Sequence, residues 1–128
     1  MKIGIAADHN GFFLKEFLRR KLQEEGHEVI DFGTDSEVPV DYPDFASPVA
    51  QAVARRQLDR GILICGTGIG MAMVANRFPG VRAANCSDLF TAALARKDND
   101  ANILTLGGRV VAPFLALEIV HTFLQTAF

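Results

Sequence analysis

The stretch "GILICGTGIGMAMVANRF", Gly61 to Phe78, begins as a short apolar, β-rich run, passes through glycines at 66, 68 and 70, and continues with helical spacing. A buried strand that turns through glycine into a helix is half of a βαβ unit. The rest of the chain repeats the alternation. Upstream, "KIGIAA" reads as a strand, "GFFLKEFLRRKLQEEG" as an amphipathic helix with Phe13, Phe17 and Leu18 on its apolar side, and Gly26 as its stop. "HEVIDFG" is a second strand and "PDFASPVAQAVARRQLDRG" a second helix with an early proline. The third helix is expected to run through "MAMVANRF". Downstream, "VRAANC" is a strand, "SDLFTAALARKDND" a helix capped by Ser87 or Asp88, "NILTLGG" a strand, and a last helix runs from about Ala112 to the end. Strands separated by helices of this length require right-handed crossovers. The fold class is therefore α/β, with a five-stranded parallel sheet covered by helices on both faces.

With 128 residues, 49% of them apolar, the chain has the size and the core material of one domain spanning residues 1–128. A net charge of −2 with dispersed basic residues gives no footprint for nucleic acid. The two cysteines, Cys65 and Cys86, lack the spacing of a zinc site or a disulfide framework, which fits a reducing, cytoplasmic setting. The first residues become polar too soon for a signal peptide. The apolar run after Val110 is broken by Pro113, Glu118, His121 and Gln125, which argues against a membrane span.

In a parallel sheet ligands bind beyond the carboxyl ends of the strands. The polar residues at those ends are Asp8, His9 and Asn10, then Asp31, Cys65 and Thr67, Asn85 to Ser87, and Gly107 to Arg109. The long segment "GTDSEVPVDYP" is a candidate to line the same place. Gly66, Gly68 and Gly70 free their backbone N–H groups to converge on an anion at the start of a helix. A tight turn with no ligand would use the same glycines. Three specific anion motifs fail. A dinucleotide fingerprint needs its glycines after the first strand, where "ADHNG" stands; a Walker loop needs GK[ST]; a tyrosine-phosphatase loop needs an arginine where Met71 stands. What remains is a thiol beside an anion hole. Cys65 could be a small buried hydrophobe. At a helix start, however, a thiolate is favoured and can act as base or nucleophile. A base beside a hole for a developing oxyanion is what proton abstraction next to a carbonyl requires. Aldose–ketose isomerisation is chemistry of that kind.

The segments "AADHNGFFLKEFL", "EVIDFGT", "DYPDFA", "DRGILICGTGIGMAMVANRFPGVRAA" and "DNDANILTLGGRVV" together resemble the B-type ribose-5-phosphate isomerase family, which includes the galactose-6-phosphate isomerase subunits. The likeness runs through nearly the whole chain. It implies a three-layer α/β/α Rossmann-like sandwich, no metal or other cofactor, and a homodimer or dimer of dimers whose sites are shared between subunits. It implies that Cys65 is the base moving a proton between the first two sugar carbons, with Thr67 assisting at the sugar oxygens. The amides of Gly66, Gly68 and Gly70 would hold the enediolate. Asp8 and His9 would bind hydroxyls, Tyr42 would edge the site, Asn99 would contact the sugar, and Arg109 would reach phosphate from the neighbouring subunit. Plainer readings exist for the same positions: a cap for Asp8, packing for Tyr42, a turn for Asn99, surface charge for Arg109.

Two features depart from the family pattern. Asp98 stands where members commonly have a histidine that opens the sugar ring; imidazole can give or take a proton near neutral pH, whereas a carboxylate mostly takes one. The resemblance also implies a basic Gly-Gly-Arg-His segment after the last helix. The sequence ends at Phe128, so either the chain is incomplete or the phosphate grip is altered. The expected activity is interconversion of a phosphorylated aldose and its ketose through a cis-enediolate, with ribose 5-phosphate and ribulose 5-phosphate first. Alternatives are a tetrose 4-phosphate, allose or galactose 6-phosphate, or sugar-phosphate binding without turnover. Apolar residues on more than one side of the last helix, among them Phe114, Leu117, Val120, Phe123, Leu124 and Phe128, predict at least a dimer.

Overall fold

The computed structural model describes residues 1–128. Ten elements alternate along the chain: β1 (Lys2–Ala7), α1 (Phe12–Glu24), β2 (Glu28–Asp31), α2 (Tyr42–Ala54), β3 (Arg60–Cys65), α3 (Ile69–Ala75), β4 (Ala83–Asn85), α4 (Leu89–Lys97), β5 (Ile103–Gly107) and α5 (Pro113–Gln125). The strands form one parallel sheet in the order β2-β1-β3-β5-β4. The chain builds outward from β1 in one direction and then from β3 in the other. The carboxyl ends of β1 and β3 therefore flank the point where the winding reverses, the place where such sheets leave a crevice.

Side chains alternate across the strands as a two-sided burial requires. Ile3, Ile5, Ile62, Ile64, Leu104 and Leu106 face a core shared with α1, α4 and α5. Ala6, Leu63, Cys65 and Ile103 face a second core shared with α2 and α3. The result is the expected α/β/α sandwich.

Several local expectations need correction. The buried stripe of α1 is Leu14, Leu18 and Leu22, at i, i+4 and i+8, while Phe13 is 66% exposed. Lys15, which belongs by type on the polar side, is fully buried because its ammonium ion meets Asp31 at 2.8 Å and Glu16 at 3.0 Å. The second helix stops at Ala54, well short of Gly61, because Arg56 turns left-handed at φ 58° and Gln57 donates back to the Ala52 carbonyl. The third helix ends at Ala75 because the amide side chain of Asn76 pairs with both backbone groups of Ala83, holding the chain at the start of β4. Asp88, rather than Ser87, caps α4, its carboxylate accepting from the Thr91 N–H at 2.7 Å. The last helix stops at Gln125 rather than at the end of the chain, because Thr126 turns extended; it buries Leu117, Val120, Phe123 and Leu124 and leaves Phe114 exposed, while Phe128 lies exposed beyond it. No helix is long and apolar enough to cross a membrane.

Candidate active site

The register of the sheet sets Ala7 beside Ile64 and Cys65 beside Gly107. Three loops consequently leave the sheet at one level, about 5 Å from strand to strand. They touch closely, and glycine is what permits it. A Cβ on Gly108 would lie 2.4 Å from the Asn10 carbonyl oxygen, and one on Gly107 would lie 2.9 Å from the Thr67 backbone. Asp8, His9, Asn10, Cys65, Thr67 and Arg109 are brought together in this way.

Cys65 is 6% exposed, and its Sγ accepts from the Gly68 N–H at 3.2 Å. Gly68 has φ +84°, and a Cβ there would strike the Asn85 side-chain oxygen, which is in turn held by the buried Thr105 hydroxyl. That turn bends the loop so that the backbone N–H groups of Gly66, Thr67, Gly70 and Met71 find no acceptor within the chain. The Thr67 hydroxyl accepts from the Ile69 N–H. Tyr42, at the first turn of α2, lies against Gly70 so closely that a Cβ would come within 2.6 Å of its ring. The surface is thus lined with unpaired donors next to a sulfur atom. Such donors can hold a developing oxyanion while the sulfur exchanges a proton.

Asp8 is buried, and its Oδ1 accepts from the N–H groups of Asn10 and Gly11. It shapes the turn into α1 as a cap would, while its second oxygen remains without a protein partner. His9 accepts the Val40 N–H at Nδ1, 3.1 Å away, which leaves Nε2 as the nitrogen carrying hydrogen in the neutral ring. The loop between β2 and α2 therefore fixes the tautomer of His9. Arg109, expected to act from a neighbouring subunit, lies beside Gly66 of its own chain and donates to the Asn10 side chain at 2.9 Å.

Asp98 and Asn99 are not part of this cluster. Both follow the end of α4, which starts just after β4 at the level of the cluster and runs back antiparallel to the strands. At 1.5 Å per residue its nine residues carry the chain about 14 Å away, to the pole where the strands begin. Neither of the two cavities in the chain lies at the Cys65 pole.

The other thiol differs. Burial pushes the Cys86 thiol up from its ordinary range, and it sits in the α1–α4–α5 core. No group of three or more His, Cys, Asp or Glu side chains is gathered to hold a metal ion. Asn10, Asn85, Gly107 and Gly108, singled out in the sequence as strand-end positions without an assigned role, complete the arrangement together with Thr105, which the sequence does not single out. The signal available for them was their position at strand ends, since their partners are distant in sequence.

The family model described as Ribose/Galactose Isomerase matches residues 3–128. Ribose-5-phosphate isomerase B of Escherichia coli is 50% identical over 127 residues, covering 99% of this chain and 85% of that protein. D-erythrulose-4-phosphate isomerase of Pectobacterium atrosepticum is 44% identical over 130 residues, covering 100% of this chain and 85% of the relative. The solved structure of Clostridium thermocellum ribose-5-phosphate isomerase B superposes with a TM-score of 0.99 at 53% identity, covering 100% of this chain and 86% of that one.

Proposed function

The chain belongs to the ribose/galactose isomerase family and is a sugar-phosphate aldose–ketose isomerase; on that premise we propose that it interconverts ribose 5-phosphate and ribulose 5-phosphate with Cys65 as the base. The observation that carries this reading is the Cys65 sulfur set beside the unpaired amides of Gly66, Thr67, Gly70 and Met71. In the open aldose, the Cys65 thiolate takes the proton from C2. The electron pair forms the C1–C2 double bond, and the carbonyl oxygen becomes the anion that the amides hold. The thiol then returns the proton to C1, and the O2 hydroxyl proton passes to O1, leaving the ketone at C2. No atom is gained or lost. Asp8, Thr67 and the Nε2–H of His9 hold the hydroxyls, Tyr42 closes one edge, and Arg109 meets the anionic end of the substrate.

Asp98 and Asn99 serve in this reading only from a second copy. The length of α4 between them and Cys65 supports a site shared by two subunits of a homodimer, or of each dimer in a dimer of dimers. Exposed phenylalanines support the same assembly: Phe114 lies edge-on to Phe17 at 5.1 Å, next to the exposed Phe13. Sedimentation should show a dimer or larger at micromolar concentration, and an active monomer would overturn that part.

One observation favours a second substrate. Asp98 stands where the family resemblance implies a ring-opening histidine, and a tetrose 4-phosphate needs no ring opening because its terminal oxygen is esterified. The 44% identical relative named for erythrulose 4-phosphate keeps company with that reading. The deciding experiment is a panel of four-, five- and six-carbon aldose phosphates in deuterium oxide, reading isomer and solvent deuterium at the transferred position. Turnover of ribose 5-phosphate above the others supports the first reading. Preference for the tetrose supports the second, and no exchange with any sugar overturns both.

A further inference from the structure

The larger cavity of the chain, about 430 Å³, opens at the pole where the strands begin, across the sheet from Cys65. Arg56, Arg60, Arg82, Asp59, Asp100 and Asn102 supply its polar lining. Hydrogen bonds engage both acids but not all of the bases. The Asp100 carboxylate accepts from Arg96 at 2.9 Å and from Arg82 at 3.3 Å, and Asp59 accepts the backbone N–H of Lys2 at 2.8 Å. Arg82 is further pinned by its Nε to the Asp100 carbonyl and by Nη1 to the Gly80 carbonyl. Arg60 has one hydrogen bond, from Nη1 to the Asp59 carbonyl. Its Nε is the single buried side-chain nitrogen or oxygen in the chain without a partner. The Arg56 guanidinium has no hydrogen bond within the chain. Two guanidinium groups therefore keep free donors at the cavity, beside the Asp59 and Asp100 carboxylates.

The backbone points the same way. Only two residues other than glycine adopt a positive φ, Arg56 at 58° and Asp100 at 50°, and both line this cavity. Each closes a helix in the manner that Gly26 closes α1. Glycine would close them without the left-handed penalty that other residues meet. At Arg56 the alternative brings a cation to the rim, and at Asp100 it orients Arg82 and Arg96. Burial first, and then Arg96 and Arg82, push the Arg60 guanidinium below its ordinary range, with Asp100 and Asp59 opposing them only in part; a bound anion would act in the same sense as those carboxylates.

We propose that this cavity is a second binding site, separate from the Cys65 pole, which takes the phosphate group of a small phosphorylated polyhydroxy compound between Arg56 and Arg60. Planar guanidinium groups with free donors suit phosphate oxygens. No aromatic side chain lines the cavity to stack a nucleobase, whereas the remaining lone pairs of the Asp59 and Asp100 carboxylates offer acceptors for hydroxyls. The proposal stands independently of which sugar the Cys65 pole isomerises.

The test follows backbone amide resonances of the intact ¹⁵N-labelled protein at 150 mM salt during titration with inorganic pyrophosphate and, separately, glycerol 3-phosphate. Both probes are expected to shift Gly80, Arg82 and Asn102 saturably, beyond any effect at Gly66 to Gly70. Arg60→Gln should weaken that saturation by roughly 10-fold or more, as loss of a charged hydrogen bond does. Arg56→Gln, at the exposed rim and safe for folding, should weaken it several-fold while leaving the isomerase rate unchanged. Shifts confined to the Cys65 pole, shifts that never saturate, or equal affinity in wild type and Arg56→Gln would overturn the proposal.

Discussion

Mixing two inactive variants tests how the site is assembled. Within one copy, Asp98 lies a full α4 length, about 14 Å, from the level of the Cys65 loop. A carboxylate reaches only a few ångströms beyond its backbone, so no rotamer of Asp98 meets a substrate held at Cys65 of the same chain. If a two-fold dimer places Asp98 of one subunit over Cys65 of the other, Cys65→Ala and Asp98→Ala homodimers should each be nearly inactive. Unfolded together in equal amounts and refolded, half of the dimers are mixed. Each mixed dimer has one doubly damaged site and one intact site, so the scrambled sample should regain about one quarter of wild-type activity by the symmetry of an isologous pair. The assay is ketose formation at saturating substrate, with each variant refolded alone as the control. Activity equal to the mean of the two parents, or an Asp98→Ala homodimer as fast as wild type, would refute the shared site.

The remaining expectations are shorter. Cys65→Ala should fold, yet lose roughly 100-fold to 10,000-fold in rate together with solvent deuterium incorporation; retention of either removes the cysteine base. Gly68→Ala must adopt φ +84° and push against Asn85, so calorimetry should show at least about 2 kcal/mol of lost stability along with lost turnover. Asp98→His should raise turnover of the cyclising pentose more than that of a tetrose; equal effects would show that ring opening is not its task. Glu16 is held below its ordinary value of 4.5, first by the Arg19 hydrogen bond and then by Lys15. Its contribution to stability is complete above pH 4.5 and is lost as pH falls through the lowered value, so denaturant midpoints of wild type should drop in acid more steeply than those of Arg19→Met.

Much of the fold was legible because its determinants are local. Apolar alternation, the stop at Gly26, a cap at Ser87 or Asp88 and crossover handedness follow from neighbours in sequence, and they fix a parallel sheet with strand ends at one pole. The errors fall where a distant partner overrides local character. Lys15 is buried because Asp31 arrives from another strand, and α3 ends early because Asn76 finds Ala83. In α1 the position of Phe13 was misjudged because helical spacing shows an apolar side without showing which part of it the sheet covers.

The candidate site divides along the same line. From the sequence came the strand-end residues Asp8, His9, Cys65, Thr67 and Arg109 and the glycines of the anion loop, since strand–loop–helix order is enough to place them. Tertiary structure decided which of them lie together. It aimed the Gly68 N–H at the Cys65 sulfur, fixed the hydrogen of His9 on Nε2 through Val40, tied Arg109 to Asn10 of its own chain, and carried Asp98 to the opposite pole. The physical reason is range. Backbone propensity and burial pattern act over a few residues and are written in local order, whereas a hydrogen bond or a close glycine contact requires two segments whose meeting is set only when the whole sheet is in register.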